Sequence, residues 1–77
     1  MSVTIYTTNT CPWCVKSKEY LSLNGVSYNE INVSKDREAA NVMIEKSGQR
    51  GVPVLDIDGS IVVGFDKEKI DTLLSIG

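Results

Sequence analysis

The sequence has 77 residues, 42% of them apolar, and 8 Lys and Arg against 10 Asp and Glu for a net charge of −2. One domain is expected, with a thin core, since a chain this short buries only roughly 60% of the surface its unfolded form exposes. No basic face is available to neutralise phosphates, no apolar run approaches a membrane span, and Met1-Ser2-Val3-Thr4-Ile5 lacks the features of a secretion signal, so the expectations are no nucleic acid, no membrane and a cytoplasmic location.

Val3 to Thr7 is β-branched and aromatic with alternation, which predicts a strand bounded by the polar Thr8-Asn9-Thr10. Pro12 suits the first turn of a helix, which is predicted to run to about Leu23 with Cys14, Ser17 and Leu21 on one stripe and Tyr20 beside it. Asn24-Gly25 is its stop. Val26 to Val33 is predicted as a second strand, although the alternation of Val26, Tyr28, Ile31 and Val33 slips in phase. At its end, in the connection to the next helix, Asn32-Val33-Ser34 matches a glycosylation sequon, and without a secretion signal this reads as chance. Asp36 caps a helix predicted to reach about Ser47, with Ala40, Met43 and Ile44 as its buried stripe and Gly48 as its stop.

Pro53 to Ile57 and Ser60 to Val63 flank Asp58-Gly59, the residue pair a type I′ hairpin prefers. Asp66 then caps a short helix whose Ile70, Leu73 and Leu74 must lie back on the sheet. The order βαβαββα describes an α/β fold, a four-stranded mixed sheet with helices on both faces. Its first strand is central and opens at Thr8 to Cys11, where open α/β sheets place their sites.

Cys11 falls at the mouth of the first helix, where unpaired N–H groups and the positive end of the dipole favour a thiolate. Cys-X-X-Cys thiols in such positions have pKa values of about 3.5 to 7.5, which makes Cys11 the candidate nucleophile. Cys14 lies one turn further on the same face, deeper and less accessible, which makes it the resolving thiol. Pro12 stiffens the turn between them. Trp13, at its tip, flanks the groove that receives a partner, with burial in the core as the competing placement.

A structural staple is the weaker explanation for the two cysteines, because a loop this short removes little unfolded-state entropy and cytosolic reductants open it. A metal site needs about four ligands, and with no histidine in the sequence one chain offers at most half of one. A dimer sharing zinc or an iron–sulfur cluster, acting as a binding module without turnover, is the alternative from a different class. Pro53 heads a strand; a cis bond before it would turn the chain toward the cysteines, while base rates make trans the default.

Together, Ile5-Tyr6-Thr7, Cys11-Pro12-Trp13-Cys14, Gly51-Val52-Pro53-Val54 and Gly64-Phe65-Asp66 resemble the glutaredoxin family, of thioredoxin fold, over nearly the whole chain. The resemblance implies strand order 2-1-3-4, a cis bond before Pro53 opposite the cysteines, and Val52 offering its backbone to a glutathionyl or protein cysteine. Thr8 stands where the family usually has a lysine. Gln49 and Arg50 fall where polar or basic residues meet the glycine carboxylate of glutathione. Val63-Gly64-Phe65-Asp66-Lys67 takes the place of a Gly-Gly-Cys-Asp-Asp type segment, so that Asp66 either receives the γ-glutamyl ammonium or simply caps its helix. The implied groove comprises Tyr6, Thr8, Pro12, Trp13, Gln49, Arg50, Val52, Pro53, Gly64, Phe65 and Asp66 around catalytic Cys11 and Cys14. The implied activity is a dithiol reductase of protein disulfides and glutathione mixed disulfides, monomeric, with glutathione as co-substrate and neither bound cofactor nor metal. Gly64-Phe65 before a lysine-bearing helix is also similar to the glutaredoxin-like redoxins that serve ribonucleotide reductase and are recharged by thioredoxin reductase.

Overall fold

The computed structural model describes residues 2–76, in the order β1 (Val3–Thr7), α1 (Pro12–Leu23), β2 (Asn29–Asn32), α2 (Arg37–Ser47), β3 (Val54–Ile57), β4 (Ser60–Val63) and α3 (Lys67–Leu74). The strands form one sheet ordered β2-β1-β3-β4, in which β2 runs parallel to β1 and the other neighbours are antiparallel. The order 2-1-3-4 and the mixed sheet are therefore as expected, and β1 is an interior strand.

Alternation along the strands decides which helix covers which face. Ile5 lies opposite Leu55 and Leu55 opposite Val62, so these three share a face with Val3 and Ile57. They are buried together with Leu21 of α1 and with Ile70 and Leu74 of α3. On the other face Tyr6 and Val54 pack with Met43 of α2 in a smaller cluster. The hairpin between β3 and β4 has Asp58 at φ 50 and Gly59 at φ 93, the two left-handed residues a type I′ turn requires.

The second strand starts at Asn29 rather than Val26 and ends at Asn32 rather than Val33. Gly25, at φ 69, donates to Ser22 O at 3.1 Å and Val26 donates to Leu21 O at 2.9 Å, the paired bonds of a Schellman cap. Val26 is thereby spent on closing α1. It and Tyr28 still pack half-buried against the larger cluster, which accounts for the slipped alternation. β3 begins at Val54, one residue after Pro53, because proline has no N–H to give to a ladder. In α2 only Met43 of the expected stripe is fully buried, Ala40 and Ile44 being partly so. A single helix on that face leaves both its flanks open to solvent. Leu73 of α3 is likewise only partly buried, beside Ile70 and Leu74.

Candidate active site

The sequence turns from β1 into α1 at Cys11, which is the N-cap of the helix with φ −142° and ψ 96°. Its Sγ accepts the Cys14 N–H at 3.1 Å, while its carbonyl accepts from Cys14 and Val15 at 3.1 and 3.2 Å. No acidic residue lies in the first turn, so nothing there opposes negative charge on this sulfur. Cys11 and Cys14 form a disulfide across a Cα separation of 5.2 Å. Cys14 is 2% exposed and Cys11 half-buried, so an incoming sulfur meets Cys11 first.

The loop before Cys11 is braced from β2. Asn32 donates its amide to Asn9 Oδ1 at 2.8 Å and accepts the Ser34 N–H at 2.9 Å, and Ser34 Oγ accepts the Asn9 N–H at 3.4 Å. The polar residues of the sequon match serve here as loop ties.

Beside the disulfide, Trp13, Val52, Pro53, Gly64 and Phe65 line an open cleft of about 270 Å³. Trp13 is 56% exposed, which overturns its alternative placement in the core. Its indole stacks on Phe65 with centroids 6.2 Å apart and carries the Lys16 ammonium 5.4 Å above it. The Val52–Pro53 bond is cis, as the family resemblance implies and against the trans default. Because X–Pro bonds prefer trans by only about 0.5–1 kcal/mol, tertiary packing readily decides the isomer. Gly64 donates to Pro53 O at 2.8 Å, tying the loop that carries Phe65 to the loop that carries Val52.

The remaining residues of the expected groove are placed differently. Tyr6 is buried under α2, its hydroxyl accepting from Lys46 Nζ at 3.2 Å, and does not line the cleft. Gln49 is turned onto Gly51, accepting its N–H at 2.5 Å and donating to its carbonyl at 2.9 Å. Arg50 is exposed and Thr8 half-buried at the end of β1. Asp66, exposed and next in sequence to Phe65 but outside the cleft lining, accepts the Lys69 N–H at 3.2 Å as the N-cap of α3.

Sequence reasoning placed Tyr20 only as a neighbour of the buried stripe. Its ring meets Phe65 edge-on with centroids 5.6 Å apart, and its hydroxyl donates to Asp71. The signal available was the spacing of Trp13 and Tyr20, two turns apart on one helix face.

Charges near the sheet are paired. The Lys46 ammonium, 2.7 Å from Asp56, holds that carboxyl below its ordinary value of 3.8, and the Asp56 carboxylate raises Lys46 in return. Lys18 and then Thr7 lower Glu30 from 4.5. A carboxyl depressed in the folded state contributes stability above its unfolded pKa and loses it as pH falls through the folded one. Lys46→Met is thus expected to cost about 1 kcal/mol at pH 7. The deficit should close as pH falls through 3.8 and below, as urea midpoints of both proteins at pH 7, 4 and 2.5, approximately spanning the linkage window, will show. A constant deficit across that range would assign the loss to the Tyr6 hydroxyl bond and the packing of the lysine stem rather than to Asp56.

Among the described residues no three His, Cys, Asp or Glu side chains converge as a metal site requires, and no helix is long and apolar enough to cross a membrane. A family profile described as glutaredoxin matches residues 3–62. An uncharacterized glutaredoxin-like 8.6 kDa protein in the rubredoxin operon of Clostridium pasteurianum is 47% identical over 72 residues, which cover 94% of this chain and 96% of that one. Glutaredoxin 3 of Escherichia coli K12 is 38% identical over 65 residues, 84% of this chain and 78% of its own. Among solved structures, the glutaredoxin-like protein NrdH-redoxin from Escherichia coli, described as having a thioredoxin-like activity profile, superposes with a TM-score of 0.85 at 33% identity, covering 95% of each chain.

Proposed function

The chain belongs to the glutaredoxin family, whose members are thiol–disulfide oxidoreductases, and we propose that it reduces protein disulfides and glutathione mixed disulfides through Cys11 and Cys14. The observation that carries this reading is the half-buried N-cap Cys11 disulfide-bonded to a buried Cys14 beside the Val52–Pro53 cleft.

In the reduced protein the Cys14 N–H that meets Cys11 Sγ stabilises a thiolate there. This thiolate attacks one sulfur of the substrate disulfide, forms a mixed disulfide and expels the other sulfur as a thiolate that takes up a proton. Cys14 gives up its proton and attacks Cys11 Sγ, releasing the second substrate thiol and leaving the Cys11–Cys14 disulfide. Val52, whose backbone makes no hydrogen bond among the described residues, is free to pair with the backbone flanking the target sulfur. Two glutathione molecules return the two electrons and become glutathione disulfide. Asp66 and the first N–H groups of α3 are the groups available for the γ-glutamyl end.

A second reading is favoured by one observation. Gln49 spends its amide on Gly51 and Thr8 offers no positive charge, so of the groups expected at the carboxylate of glutathione's glycine the exposed Arg50 is the one that remains. On this reading thioredoxin reductase supplies the electrons and ribonucleotide reductase is the acceptor. NADPH consumption with glutathione plus glutathione reductase, run beside thioredoxin reductase alone, discriminates them. Turnover in the glutathione arm is the expected result. Turnover confined to the other arm establishes the electron source of the second reading, and none in either, with a visible absorbance band on anaerobic purification, would replace both with a cluster-binding module.

A further inference from the structure

Phe65, the aromatic wall of the cleft, sits between two rings of α1. Trp13 and Tyr20 are seven residues apart, so their side chains leave one face of the helix about 10.5 Å apart along its axis. Phe65 fills that interval, stacked on Trp13 at 6.2 Å and met edge-on by Tyr20 at 5.6 Å. Tyr20 is itself held from behind. Its hydroxyl donates to Asp71, Lys67 lies 5.3 Å from its ring centre, and Lys67 pairs with Asp71 at 2.8 Å. Asp71 stands next to Ile70, which is fully buried, on a helix packed into the larger core. The backstop is therefore fixed to the sheet rather than to a free surface.

We propose that Tyr20 is a positioning residue for substrate selection: it holds Phe65 against Trp13 and so sets the apolar wall of the cleft facing Val52 and Pro53. The partners of Tyr20 are Phe65, Asp71 and Lys67, so it acts through Phe65. The wall it supports is aromatic on one side and aliphatic on the other, which suits a target cysteine flanked by an apolar residue better than one flanked by a hydroxyl. This rests on the reductase reading above. Removing the Tyr20 ring lets Phe65 fall back, opens the cleft and weakens the selection, while the geometry of Cys11 and Cys14 is untouched.

The test compares Tyr20→Leu, which removes the ring, with Tyr20→Phe, which keeps it and loses the bond to Asp71. Trp13 is the chain's one tryptophan, so its emission reports the stack without turnover. Two mixed-disulfide peptides, identical except for Leu or Ser beside the target cysteine, report selection. Tyr20→Leu is expected to shift the Trp13 emission and raise KM for the Leu peptide about fivefold, below the tenfold or more an enclosed pocket gains per methylene, with kcat within twofold. Tyr20→Phe should fall between the two proteins. An unchanged KM ratio between the peptides in Tyr20→Leu, or a fall confined to kcat, would overturn the proposal. Should Tyr20→Leu fail to fold, the same ratios in Tyr20→Phe and Asp71→Ala decide it, and unchanged ratios and emission in both reject it. If the parent protein reduces neither peptide, the reductase reading fails separately, and an unshifted Trp13 emission in the variants would reject the role of Tyr20 in the stack as well.

Discussion

Cys11→Ser is expected to abolish disulfide reduction altogether, with both protein disulfides and glutathione mixed disulfides as substrates. A hydroxyl in place of Sγ forms no mixed disulfide, and the buried Cys14, 2% exposed, is out of reach of a substrate sulfur. Cys14→Ser is expected to divide the two activities. Protein-disulfide reduction falls about 10²-fold or more, because the resolving thiol one helical turn away acts at a high effective concentration that no free thiol matches. Removal of glutathione from a mixed disulfide persists, since a second glutathione can resolve the Cys11 adduct. Residual reductase activity in Cys11→Ser would exchange the roles of the two cysteines, and loss of both activities in Cys14→Ser would argue against a glutathione pathway. Insulin reduction and deglutathionylation of a labelled peptide, measured on both variants, separate these cases.

Leu55→Ala should have the largest effect on stability. Leu55 is wholly buried, lies opposite Ile5 on one side and Val62 on the other, and so sits where three strands meet α1 and α3. Truncating a leucine in such a place costs about 3–5 kcal/mol, the spread depending on how far the surroundings collapse. A chain of this length has a total stability of about 4–12 kcal/mol at 0.05–0.15 kcal/mol per residue. A fall in melting temperature of about 15 °C or more is expected in a thermal scan. A loss below about 1 kcal/mol would mean that the larger cluster repacks freely, contrary to its being the mechanical base of the site.

Much of this arrangement was legible in the sequence because its determinants are local. Cys11-Pro12-Trp13-Cys14 occupies one helical turn, so spacing alone places a nucleophile at the mouth and a second thiol behind it. Asp58-Gly59 defines a two-residue turn, and the alternating residues on each side then fix the pairing of β3 with β4. Val26 was misread because an apolar, β-branched residue signals a strand whether it extends a ladder or closes a helix cap. Its N–H bond to Leu21 belongs to the cap that Gly25 announces, in which an apolar residue directly after the glycine is the usual partner.

The parts of the site that escaped reading depend on contacts between distant segments. Tyr20 and Asp71 are 51 positions apart, and nothing in either neighbourhood announces the other. Phe65 was recognised as a groove residue, but its place between Trp13 and Tyr20 follows from how α3 returns over the sheet. Gln49 failed in the opposite sense, since a side chain that looked free to meet a ligand closes on the backbone two residues away.

The unequal covering of the two sheet faces has an evolutionary consequence. Leu21 and Tyr20 of α1 and Phe65 before α3 pack with the larger cluster, whereas α2 buries only Met43 fully and meets the site through Val52. Apart from its last turn, where Ser47 accepts and donates in the Gln49 loop, α2 can change its outward residues at within about 0.5 kcal/mol each. Arg37, Asn41, Val42 and Glu45, all exposed, are therefore positions at which lineages can drift while the thiol chemistry on the opposite face stays under constraint.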